Sequence, residues 1–180
     1  CSAKIVIAEP GFQAGIDSIR AGLPPALHAS LGPAAPDWPA WDSIRGQTAS
    51  ADLVGGDADD LLIVYTSGTT GRPKGAVLTQ SALLWNGFNS IHAHDLRQGD
   101  HVLSTLPMFH VGGLNNQTLP ALQAGATVTL HRRFEPGPWL ADVVARKPTI
   151  SILVPATMAA VIADPAWPAS DLSSLRLVAT

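Results

Sequence analysis

Short apolar runs alternate with longer segments of mixed, helix-period character along most of the chain. Residues 4–8 read as a strand and 11–22 as a short polar helix. From 23 to 51, Pro, Ala and Ser interrupt any period, so this stretch reads as a connecting or edge region. The run 60–65 is a buried strand by length and β-branching, and it enters a turn at 66–75 rich in glycine and hydroxyls. Ser81 is placed to cap a helix to about residue 95, with Leu84, Phe88 and Ile91 on one face. Strands follow at 101–106, 126–131, 150–154 and 175–179, with helices at 112–123, 137–146 and from Pro155 onward. Pro155 suits the first helical turn, whereas Pro120 inside 112–123 predicts a kink or a late start. Strands spaced by one helix each predict an α/β fold, a mostly parallel sheet with covering helices.

Composition narrows the picture. Of 180 residues, 46% are hydrophobic and 14% charged, which favours a packed core over disorder. Net charge is -3, and Arg132-Arg133 is the one adjacent basic pair, which argues against a nucleic-acid partner. The single cysteine, Cys1, excludes an internal disulfide framework and fits a cytoplasmic location. No run approaches the ~20 apolar residues of a transmembrane segment. The chain has no initiator Met and its last strand has no turn after it, so the expectation is a fragment of a longer protein.

The segment that carries chemistry is Tyr65-Thr66-Ser67-Gly68-Thr69-Thr70-Gly71-Arg72-Pro73-Lys74-Gly75. Three glycines let the backbone turn and approach a ligand closely, and successive N–H groups in such a turn suit an anion. Four hydroxyls add donors, and Lys74 adds a positive charge for phosphate oxygens. A P-loop NTPase places Lys after Gly and Ser or Thr after Lys; here Pro73 precedes Lys74 and Gly75 follows it. Proline disfavours helix at Arg72, so the loop is expected to stay extended and drape over phosphates as a strap. The plain alternative is a polar surface turn.

The whole string resembles the phosphate loop of the AMP-forming acyl-CoA synthetases, the adenylate-forming superfamily. The resemblance implies that Thr66, Ser67, Gly68, Thr69, Thr70, Gly71 and Lys74 bind the phosphates of ATP, with Thr66 beside Mg²⁺ and Lys74 acting in catalysis. Gln80 stands where the family often has His. A second match, Leu106-Pro107-Met108-Phe109-His110-Val111-Gly112-Gly113-Leu114, resembles the segment bordering the acyl pocket. It implies that His110, Val111, Gly112 and Gly113 contact the substrate, although His110 in its own right could simply cap the next helix. Weaker matches are 150–158, a structural strand and turn, and 172–180, a strand preceding a loop that contacts acyl group and adenine.

By this resemblance, 1–180 is a fragment of an AMP-binding N-terminal domain, with a leading segment 1–58, the phosphate loop and βα units at 59–180, and the C-terminal domain absent. The implied activity is ATP-dependent conversion of a carboxylic acid to an acyl-adenylate and then to its coenzyme A thioester. The small residues 111–113 leave room for an aliphatic or an aryl chain, with a lean towards a fatty acid. The alternatives are an adenylation domain that loads a carrier protein, or a non-catalytic nucleotide-binding or structural domain. Cys1-Ser2 also matches a lipoprotein start, but a strand follows too soon for a tether. His92, His94, His101 and His131 lack acidic or Cys partners at metal-ligand spacing and are expected to be solvent-exposed or capping. The five tryptophans are expected to be packing residues. Oligomeric state is not legible.

Overall fold

The computed structural model describes residues 3–46, 55–68 and 71–180. The chain forms two compact units, Cys1–Leu53 and Val54–Thr180. In the first, β1 (Ile5–Ala8) and β2 (Leu27–Ser30) pair in parallel, with α1 (Pro10–Ile19) between them in sequence. Pro10 sits in the first helical turn, where its missing N–H costs nothing. β2 and the short α2 (Trp41–Ile44) lie inside the stretch expected to be irregular. The sequence Leu27-His28-Ala29-Ser30 lacks apolar alternation because polar partners satisfy its buried side chains. His28 meets the buried Trp38 edge-on, with centroids 4.9 Å apart. Gln13 Nε2 donates to Ser30 Oγ at 2.9 Å, and Trp38 Nε1 donates to the Asp17 carboxylate at 3.1 Å.

The second unit opens with an antiparallel hairpin, β3 (Asp60–Thr66) and β4 (Lys74–Thr79), in which Thr66 pairs with Lys74. The expected strap from 66 to 75 therefore ends in a strand at Lys74. α3 (Gln80–His94) begins at once, capped not by Ser81 but by Thr79, whose Oγ1 accepts from the Ala82 N–H at 3.1 Å. Ser81 is the second residue inside the helix, past the cap position from which a side chain accepts an orphan amide. Asp95 ends the helix in the left-handed conformation, φ 49°.

Four parallel strands follow in the spatial order β6-β5-β7-β8 (β5 His101–Ser104, β6 Thr127–Leu130, β7 Ile150–Ile152, β8 Leu177–Ala179). Between β5 and β6 the chain runs through α4 (Val111–Gly113), a π turn at Leu114–Thr118 and α5 (Leu119–Gln123). The π turn is the physical outcome of Pro120. Its ring excludes the regular α bond, and the chain widens so that the Leu119 N–H reaches the Leu114 carbonyl. α6 (Pro136–Arg146) and α7 (Pro155–Ala163) precede and follow β7, and Pro155 is in the first turn as its position predicts.

Neighbouring residues on β5 point to opposite faces, so the sheet has a core on each side. Leu103 packs with Trp139, Leu140 and Val143 of α6, Leu153 just after β7 and Val161 of α7. Val102 packs with Leu96, Ala121, Ala126 and Ile150 on the other side. A polar chain ties the first core to the sheet: Trp139 Nε1 donates to Ser151 Oγ at 3.1 Å, and Ser151 Oγ donates to the Leu103 carbonyl at 2.8 Å. Trp38 and Trp139 are packing residues as expected, whereas Trp85 is 63% exposed.

The strand beginnings are clamped by ions. Arg176, just before β8, donates through Nη2 to Asp100 Oδ2 at 2.6 Å and through Nε to Oδ1 at 3.0 Å. The same guanidinium donates to the carbonyls of His94 and Asp95 at the end of α3. Thr149 Oγ1 donates to Asp100 Oδ1 at 2.7 Å. These bonds, the Arg176 hydrogen bond foremost, lower the carboxyl of buried Asp100 from 3.8 to about 2.

Candidate active site

The hairpin turn is built by backbone conformation. Gly68 and Gly71 have φ of 58° and 76°, in the left-handed region that side chains disfavour. The Gly71 N–H donates to the Gly68 carbonyl at 3.3 Å, and Thr66 Oγ1 donates weakly to the Lys74 carbonyl at 3.5 Å across the hairpin. A Cβ on Gly68 would lie 2.3 Å from the Arg72 carbonyl oxygen and 3.7 Å from Lys74 Cγ. Glycine is thus required there, and the Lys74 stem runs beside it. Thr66, Ser67, Gly71 and Lys74 are exposed, which leaves their donors accessible. Thr69 and Thr70 fall outside the described residues.

The parallel sheet offers a second site at its strand ends. A cavity of about 770 Å³ opens beyond the C-terminal ends of β5, β6 and β7, where open α/β sheets hold ligands. Met108, Phe109, Leu130, Phe134 and Val154 give it a largely apolar lining, with His110 and Gly112 on one wall. His110 serves both roles considered for it. Its Nδ1 accepts from the Gly112 N–H at 3.1 Å, capping α4, and the ring borders the cavity. An accepting Nδ1 places the proton of a neutral ring on Nε2. Val111 and Gly113 are not among the cavity-lining residues. Gly113 is buried, and a Cβ there would sit 2.5 Å from the Leu106 and Pro107 carbonyls, so its role is close backbone packing.

Two histidines expected to be exposed or capping are neither. His101 is part-buried, its Nε2 2.7 Å from Thr129 Oγ1. His131 lines the cavity with its Nε2 2.7 Å from Asp142 Oδ2, and Asp142 Oδ1 accepts from Arg146 Nε at 3.0 Å. Burial would raise Asp142, but the hydrogen bonds from His131 and Arg146 outweigh it and hold the carboxyl below its ordinary value. Asp142 lies 11 residues beyond His131 on another element, so no spacing rule signals the pair. Among the described residues no three His, Cys, Asp or Glu side chains gather to hold a metal ion. Thr66 alone offers one hydroxyl where the sequence expected Mg²⁺, so the described residues do not form a magnesium site. No helix among the described residues is long and apolar enough to cross a membrane.

Comparison with known proteins gives the family of the chain. The chain is 44% identical, over its whole length and 36% of the relative's, to an indoleacetate–CoA ligase of Aromatoleum aromaticum. It is 44% identical over 69% of its length to a feruloyl-CoA synthase of an Amycolatopsis species, covering 26% of that protein. The chain therefore spans about a third or less of the length of these relatives. A solved structure of the anthranilate CoA ligase AuaEII in complex with anthranoyl-AMP superposes with a TM-score of 0.84 at 26% identity, covering 99% of this chain and 36% of the other. The AMP-binding enzyme family matches residues 2–180, and the chain belongs to that family.

Proposed function

We propose that the protein carrying this chain activates an aryl carboxylic acid with ATP and passes the acyl group to coenzyme A. The observation that carries this reading is the hairpin turn, where glycines at positive φ and accessible hydroxyls lie beside the Lys74 stem. In the first step a carboxylate oxygen attacks the α-phosphorus of ATP and the bond to pyrophosphate breaks, giving an acyl-adenylate. In the second, the coenzyme A thiolate attacks the acyl carbon and AMP leaves with the bonding pair. Activation is needed because a carboxylate is a poor electrophile, and AMP is a far better leaving group than hydroxide.

Lys74 and the loop donors from Thr66 to Gly71 are assigned to the phosphates, where they offset charge growing on the departing pyrophosphate. His110 and Gly112 are assigned to the acyl group. A neutral His110 offers Nε2–H as a donor, and Gly112 leaves its wall thin. Soluble ATP and coenzyme A point to work in the cytoplasm.

An aryl acid replaces the fatty acid suggested by the small residues 111–113. Val111 and Gly113 do not line the cavity, while Phe109 and Phe134 do and can face a planar ring. Both relatives and the anthranoyl-AMP complex also carry aryl acids in their names. The test is to incubate the full-length protein with ATP and indole-3-acetate, with and without coenzyme A, and separate the products. AMP, pyrophosphate and an aryl thioester are expected. Formation of ADP and phosphate, or no nucleotide turnover with any aryl acid, would overturn the reading.

A further inference from the structure

Besides its apolar lining the cavity carries polar side chains, His110, Arg132, Arg133 and Thr157 among them, and two more, Thr105 and His131, meet at the strand ends. Thr105 follows β5 directly and His131 follows β6. In the parallel register Ser104 pairs with Leu130, and the His131 N–H donates to the Ser104 carbonyl at 2.9 Å. Thr105 and His131 are therefore neighbours on adjacent strand ends. Both lie on the α6 side, because side chains alternate along a strand. His101, four residues before Thr105, and Thr129, two before His131, bond to each other, and His131 meets Asp142 on α6. Both residues line the cavity.

Each brings unused bonding capacity. Thr105 is 3% exposed, and its hydroxyl makes no hydrogen bond. A buried hydroxyl without a partner is costly to keep and marks a group waiting for one. A rotation about one bond turns the hydroxyl of a cavity-lining threonine towards a guest. His131 holds Asp142 through Nε2, and Asp142 is held in turn by Arg146. The ring is thereby fixed, while Nδ1 makes no hydrogen bond among the described residues.

We propose that Thr105 and His131 form a polar recognition pair for a hydroxyl on the ring of the acid, so that the preferred substrate class is hydroxyaryl acids. A hydroxyl both donates and accepts, so one such group can satisfy the threonine hydroxyl and the imidazole nitrogen together. A site built to bond a hydroxyl discriminates strongly against the analogue lacking it, because the site's own polar groups are then left unpaired. An unsubstituted alkyl chain would leave both unpaired. This inference rests on the aryl-acid reading of the cavity and adds the group recognised at the strand ends.

The test compares 4-hydroxyphenylacetate with phenylacetate in the full-length protein, by calorimetric binding of each acid and by acid-dependent ATP–pyrophosphate exchange. The hydroxylated acid should be preferred about tenfold or more. Thr105→Val should abolish most of that preference without lowering the melting temperature, since the lost hydroxyl had no partner. Thr105→Ser should keep the preference, and His131→Leu should lose it. Equal use of both acids by the parent protein would overturn the inference while leaving the ligase reading intact. So would a Thr105→Val variant that loses thermal stability, or whose one kinetic change is in the KM for coenzyme A. Absent exchange with a persistent binding preference would uphold the recognition pair and sink the ligase reading. Absent exchange with no preference would sink both.

Discussion

Replacing Arg176 with Met removes the clamp that joins the start of β8 to the start of β5 and the end of α3. The wild-type Asp100 carboxyl is lowered from 3.8 to about 2, chiefly by the Arg176 hydrogen bond. At about 1.4 kcal/mol per tenfold change in proton affinity, that interaction contributes about 2 kcal/mol to folding at neutral pH. Asp100 is 6% exposed, so removing its partner strands a buried charge, an event that costs about 3–5 kcal/mol when burial is complete. Arg176 itself is one-third exposed, and water can enter where it was, which favours the lower figure. The expected loss is about 2–3 kcal/mol, including the two carbonyls of α3 left without a donor.

The sign with pH follows from the depressed carboxyl. Its contribution is complete above 3.8 and disappears as pH falls through about 2. The gap between parent and Arg176→Met should therefore be widest near neutrality and narrow below pH 4. Urea unfolding of the full-length protein, followed by tryptophan emission with m values compared, measures that gap. A loss under about 0.5 kcal/mol, or a gap that stays constant to the lowest accessible pH, would refute the clamp.

Other positions give narrower expectations. Gly68→Ala places a Cβ 2.3 Å from the Arg72 carbonyl at a positive φ, so the melting temperature should fall and the KM for ATP should rise tenfold or more; an unchanged KM would show that the turn's shape is irrelevant to nucleotide binding. Thr79→Ala removes the α3 cap and should cost about 1 kcal/mol in urea unfolding, whereas Ser81→Ala should cost nothing measurable. The reverse order would restore Ser81 as the cap.

Much of this architecture is written locally. The alternation of short apolar runs with helical segments located all four strands of the parallel sheet, and Pro155 marked a helix start, because period and proline chemistry act over a few residues. The glycine-rich turn was legible for the same reason, since Gly68 and Gly71 set its backbone locally, but its outer residues Tyr65, Thr66, Lys74 and Gly75 belong to the flanking strands. β2 escaped because two of its three buried positions are the polar His28 and Ser30, whose partners Trp38 and Gln13 lie elsewhere in the chain. β4 escaped because Lys74 to Thr79 follows the turn without a break, and only pairing with β3 makes it a strand. The acid lean rested on Val111, Gly112 and Gly113, of which Gly112 alone lines the cavity and Gly113 serves close backbone packing, a division that appears only in three dimensions. The Asp100–Arg176 clamp spans 76 residues and the His131–Asp142 pair joins separate elements, so neither leaves a pattern in the chain.

The central claim is that the hairpin turn handles the phosphates in the adenylation step, and Lys74→Ala in the full-length protein tests it most directly with the two half-reactions measured separately. Acid-dependent ATP–pyrophosphate exchange should fall by about a hundredfold, since a charge facing the leaving pyrophosphate is gone. Thioester formation from supplied acyl-adenylate and coenzyme A should hardly change. Equal loss in both steps, or full exchange activity in the variant, would contradict the account.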